Sequence, residues 1–213
     1  MQSTRVAHEA GRSEAGLHPL GGSVGVLAGQ GTHMNWSTLG WIVAALLLFW
    51  GIGAYNRLMR LRNAIGEAFV QLDQQLGARA EVGERLLALV RPALESEQAT
   101  FDALDGAQIE VQAAVLATRA KPYAGDPVAS LAVATAVHAA ALTRLMSLVE
   151  HHGELGPQAE IQAALAELKL IERQRAFSRQ VFNQAVSQYN EAAKQFPTRV
   201  LASLYGFAEA RSL

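Results

Sequence analysis

From Trp36 to Ala54 the chain carries no charged side chain, and it then passes directly into Tyr55-Asn56-Arg57-Leu58-Met59-Arg60-Leu61-Arg62-Asn63. An apolar run of that length crosses a hydrocarbon core of about 30 Å at about 1.5 Å per residue, which predicts a transmembrane helix over residues 36–54. From Leu58 the pattern becomes periodic. Leu61, Ile65, Phe69, Leu72 and Leu76 follow at spacings of three and four and paint one face of a helix. The period loosens around Gly77 and Gly83, resumes at Leu86, Leu87 and Val90, and meets Arg91-Pro92, where a kink or an end is expected.

A second helix is predicted to bury Phe101, Leu104, Val111 and Val115, and Lys121-Pro122-Tyr123-Ala124-Gly125-Asp126-Pro127 breaks it. The third runs from about Val128 to His151 and is expected to bury Leu131, Val137, Leu142, Leu145 and Val149. After Gly153-Glu154-Leu155-Gly156-Pro157 a fourth extends from about Gln158 to Gln195, with Ile161, Leu165, Leu168, Ile171, Phe182, Val186 and Tyr189 on its apolar stripe; Pro197 stops it. The expected fold is all-α: an N-terminal single transmembrane helix followed by an antiparallel four-helix bundle with two long and two shorter helices. The long pair, one and four, brings the end of helix four back beside the membrane. The domain reading is residues 1–35 as an N-terminal extension, 36–54 as the span, 55–196 as the helical domain and 197–213 as an apolar juxtamembrane tail.

Charge gives this arrangement an orientation. Arg57, Arg60 and Arg62 all follow the apolar run, whereas Met34 to Thr38 carries no basic residue. Cytoplasmic flanks are enriched in Lys and Arg, so the N-terminus is expected outside and the body inside a bacterial inner membrane. A cleaved signal peptide is the rival reading, with Gly51-Ile52-Gly53 as a weak cleavage site, but a start at Met34 leaves it without a basic n-region. The Gly- and Ser-rich residues before Met34 show no hydrophobic period. They read as a disordered extracytoplasmic tail or as the product of a start upstream of Met34.

Composition narrows the classes. A formal net charge of -1 argues against a nucleic-acid binder. The absence of cysteine excludes disulfides and thiolate metal sites. Abundant alanine and few aromatics agree with helices.

Beyond Pro197, Thr198 to Phe207 is short, apolar and aromatic. Leu201, Leu204, Tyr205 and Phe207 could enter an interface while Lys194 and Arg199 join Arg57, Arg60 and Arg62 in a basic collar facing anionic phospholipid. The other reading folds Leu201, Leu204 and Phe207 back to cap the base of the bundle.

Two blocks of residues resemble the LemA family. The first is Tyr55-Asn56-Arg57-Leu58 with Leu61-Arg62-Asn63, Glu67-Ala68 and Leu72-Asp73-Gln75-Leu76. The second is Arg179, Phe182-Asn183, Ala185-Val186, Tyr189-Asn190, Phe196-Pro197, Leu201-Ala202 and Gly206-Phe207. The likeness covers roughly residues 40–207. It implies a single-pass bacterial membrane protein with a four-helix cytoplasmic domain of poorly defined role. Val82-Gly83-Glu84-Arg85-Leu86 departs from the family's usual Leu-Ile-Pro-Asn-Leu, and Phe182 stands where Tyr is usual, so a function residing in that middle turn does not carry over.

Candidate chemistry is sparse. His151 and His152 are adjacent and diverge by about 100° on a helix, which makes them poor co-ligands; no metal and no cofactor are expected. Gln174, Arg175 and Ser178 are expected to face helix one in part and to pair with Glu67 or Asp73 in a buried or half-buried polar layer, with Asp73, level with Ser178, the better placed; Arg179 is counted among the same interhelical polar residues. Asn56, Asn183, Tyr189 and Asn190 are expected to hydrogen-bond between helices. No phosphate loop, nucleophile elbow, paired-carboxylate geometry or zinc spacing is present. The favoured function is a non-enzymatic, membrane-anchored scaffold docking an unidentified membrane or cytoplasmic protein, with a homo-oligomer possible. The alternative acts on the lipid bilayer itself through the collar and the tail.

Overall fold

The structure is a computed structural model that describes residues 35–213 apart from Pro197 and the side chains of Leu201 and Leu204. The expectation for the extension before Met34 therefore lies outside the described residues. Among the described residues five α-helices follow in order: α1 (Trp36–Val90), α2 (Gln98–Ala120), α3 (Gly125–His151), α4 (Ala159–Lys194) and α5 (Thr198–Leu204). Two 3-10 turns, Arg91–Ala93 and Glu95–Glu97, join α1 to α2, and no strand occurs among the described residues.

α1 is continuous for 55 residues. Gly77 and Gly83, where the apolar period loosens, do not interrupt it, because neighbouring Leu76, Val82 and Leu86 stay buried on one stripe. Pro92 does end it: its ring fixes φ, and the chain turns through the first 3-10 segment there. The helix beginning at Trp36 and α3 are each long and apolar enough to cross a membrane.

α1 to α4 share two hydrophobic clusters. One gathers Leu58, Ile65, Phe69, Leu72 and Leu76 of α1 with Val111, Leu131, Phe182 and Val186 from the other helices. The second gathers Val82, Leu86 and Val90 with Phe101, Leu142, Leu145, Leu165 and Leu168. Contacts between α1 and α4 run in opposite senses along the chain: Arg57 meets Gln195, Phe69 meets Phe182, Arg79 meets Glu172 and Arg85 meets Glu167. Their axes are antiparallel in a single register.

One position of the expected core is corrected. Val137 is 55 % exposed, and the neighbouring His138 is buried in its place. The inward stripe of α3 is Leu131, Ala134, His138, Leu142, Leu145 and Val149, and Val137 lies about 100° round from it. The interior takes the imidazole because a polar layer occupies that level.

Candidate functional site

That polar layer lies between the two clusters. Arg79 is 2 % exposed and its Nε stands 2.6 Å from Glu172 Oε1. Arg175 donates through Nε and Nη2 to Glu172 Oε2 at 3.0 and 2.9 Å. The Arg79 contact is an ion pair without the alignment of a hydrogen bond, and Arg79 Nη1 and His138 Nδ1 are buried with no partner. Burial holds the His138 imidazole at a pKa of about 4, with the Arg79 charge lowering it further and Glu172 opposing. The same burial draws the Arg79 guanidinium below its ordinary value against the pull of Glu172. A neutral histidine therefore sits beside two guanidinium groups that share one carboxylate.

Arg175 is thus part of a half-buried layer, but Asp73 is not its partner. Asp73 accepts two hydrogen bonds from Arg119 of α2, at 2.6 Å from Nε and 3.0 Å from Nη2. Its side chain points from α1 towards α2 rather than α4, so being level with Ser178 does not bring the groups together. Arg179 is exposed. Arg79, the centre of the layer, was not among the expected residues although it lies on the inward stripe Leu76, Arg79, Val82 and Leu86. An arginine at a stripe position was the available signal.

The asparagines of α4 also depart from the expectation of bonds between helices. Asn183 Nδ2 donates to the main-chain oxygen of Leu213, and the Leu213 N–H donates to Asn183 Oδ1, both at 2.8 Å. Asn190 binds Ala210 in the same two-way manner at 2.8 and 2.9 Å. The Tyr189 hydroxyl donates to the Ala208 carbonyl at 3.1 Å. These side chains hold the segment from Ala208 to Leu213 as a strap along α4. Asn183 and Asn190 are two turns apart on one face, about 10 Å, which is the reach of three residues of extended chain. Asn56 is exposed.

α5 redirects the chain into this strap. The Phe207 N–H donates to the Ala202 carbonyl at 2.9 Å while Gly206 adopts φ +67, the pairing and left-handed residue of a Schellman stop. The tail therefore does not end at the foot of α4. α5 lies near the lower end of α4, and the strap then climbs along α4 until Leu213 joins Leu72, Leu76 and Leu131 around a small cavity.

At the base, Tyr55 faces Tyr205 and Phe207 with ring centroids 5.6 and 6.1 Å apart, and Trp50 faces Phe196 at 6.3 Å. Phe207 also packs against the first cluster. The expected collar is not uniform. The Arg62 guanidinium lies 3.6 Å from the Tyr123 ring centroid, and Lys194 pairs with Glu209 at 2.7 Å. Arg57, Arg60 and Arg199 are exposed, as is Tyr205. The side chains of Leu201 and Leu204 lie outside the described residues.

Among the described residues no three His, Asp or Glu side chains converge as a metal site would require. No curated protein matches the chain. The LemA family profile matches residues 68–213; the match takes in the polar layer, the α4 asparagines and the strap, while the Tyr55–Asn63 join precedes it. On the strength of that match over most of its length, the chain belongs to the LemA family.

Proposed function

We infer that this protein is a non-enzymatic, single-pass scaffold of the bacterial inner membrane. In this reading residues 36–54 are the anchor, and the remaining helices form an antiparallel four-helix bundle on the cytoplasmic side. α3 is apolar enough to span, but it packs along α2 and carries buried His138 beside Arg79, which supports counting it in the bundle. The observation that carries the reading is the base, where Trp50 and Tyr55 of α1 meet Phe196, Tyr205 and Phe207 of the returning chain. Residues distant in sequence thereby make aromatic contacts that straddle the end of the apolar run, from Trp50 within it to Tyr55 just past it, which supports a partner docking at the membrane face.

Direct action on anionic lipid is the second reading, favoured by the exposed Arg57, Arg60 and Arg199. Its collar is reduced by Glu209 at Lys194 and by Tyr123 under Arg62. Proximity labelling from the full chain in intact cells separates the two. The scaffold predicts a recurrent protein neighbour whose labelling falls when Tyr205 is changed to Ala. A neighbour set identical to that of an unrelated single-pass anchor contradicts it.

A further inference from the structure

The asparagine pairs on α4 treat the strap as a ligand. Each amide donates to a main-chain oxygen and accepts from the N–H of the same residue, the way one strand edge reads another, and this demands an extended peptide without specifying its side chains. Specificity comes from the flanking contacts. Ala210 is 5 % exposed, so only a small residue fits there. Glu209 pairs with Lys194, and Leu213 packs among Leu72, Leu76 and Leu131. The site thus accepts an extended segment reading acidic, small, two free positions, apolar.

The link between strap and body is short and open. Ala208 and Glu209 are exposed and line a cleft of about 390 Å³ bounded on its other side by Met59, Arg62 and Tyr123. The strap can leave the groove by rotation at Ala208, with the Gly206 stop and the Phe207 contact to Tyr55 left in place. The contacts it gives up are those an identical strap would make.

We propose that this α4 face is a peptide-docking groove whose occupant in trans is the Ala208–Leu213 strap of a second copy, exchanged between neighbours. The proposal rests on the anchored scaffold reading, because confinement to one bilayer with the grooves at one height supplies the local concentration that exchange needs. The exchange is reciprocal: each copy gives a strap and receives one, which makes a closed two-fold pair.

The test uses two differently tagged full-length copies reconstituted together in phospholipid vesicles. The donor carries Asn183→Asp and Asn190→Asp, which set a carboxylate against each of these strap main-chain oxygens, and a photo-cross-linking residue at exposed Ser212. The acceptor keeps its asparagines and carries Ala210→Glu, which evicts its own strap. The expected result is cross-linking from donor position 212 to acceptor α4, severalfold above a pair in which both copies carry the Asp substitutions. A wild-type pair with the same probe is expected to give a weaker product at the same α4 peptides, and this arm depends on no groove variant folding. Cross-links confined to single copies in both arms overturn the exchange. Flotation recorded in the same samples separates the two ideas: chains that fail to float contradict the anchor, whereas chains that float without the inter-copy product contradict the exchange alone.

Discussion

At the scale of single residues, the groups that define this molecule are polar ones placed where apolar residues are the rule. His138 is neutral at pH 7 because its surroundings hold it near pKa 4, against about 6.5 in an unfolded chain. Above pH 6.5 neither state is charged and the residue is without effect. As pH falls from 6.5 towards 4 the unfolded chain takes up the proton and the folded one does not, so stability is lost across that window, by about 3 kcal/mol when complete. Denaturant melts between pH 4 and 7 are expected to show this loss and to lose most of it in His138→Leu; an unchanged slope in the variant contradicts the assignment. Gly206→Ala places a Cβ in the left-handed region and is expected to weaken the strap by about 1 kcal/mol. Faster hydrogen exchange at the Ala210 and Leu213 amides with little change at α1 is the readout. These residues differ in how far the sequence reveals them. Arg79 sits on a legible stripe, but an apolar period by itself does not mark an arginine as part of it. The partners of Asn183 and Asn190 were not legible, because a side chain that binds backbone leaves no complementary residue type to look for.

At the scale of elements, the polar layer divides an otherwise continuous core. Leu76 and Ala134 belong to the cluster on one side, and Val82 and Leu142 to the cluster on the other. A one-turn slip of α4 against α1 would leave Arg79 and Glu172 facing hydrocarbon, so the layer acts on register. Arg79→Leu leaves Glu172 with Arg175 alone and is expected to cost about 2 kcal/mol, less than the roughly 3–5 kcal/mol of a fully buried pair because Glu172 is partly exposed. Arg79→Leu with Glu172→Leu is expected to recover most of that, and urea titrations of the four combinations give the coupling. The antiparallel relation of α1 and α4 followed from the sequence because long 3/4 stripes joined by short breaks leave few ways to pack. Asp73 shows where that logic stops. Residue number and rise set a residue's height on the helix, but the face of α1 that carries Asp73 borders both α2 and α4, and height alone does not choose between them.

At the scale of the whole molecule, the base of the helices is the proposed working end. The chain leaves the apolar run at Tyr55, travels the length of four helices and returns to place Tyr205 and Phe207 against the same tyrosine. That return was legible from helix lengths; the turn back up α4 was not, since it hangs on one glycine conformation and on backbone contacts. The central claim is that the body lies on the cytoplasmic side. The chain has no cysteine, so single cysteines at exposed Ser203, near the base, and Ser96, at the far end of α1, can be read cleanly. Labelling of full-length protein in spheroplasts with a membrane-impermeant maleimide is the direct test. Both positions are predicted to stay unlabelled until the membrane is permeabilised, and then to react. Reaction of either position in intact spheroplasts would contradict the account.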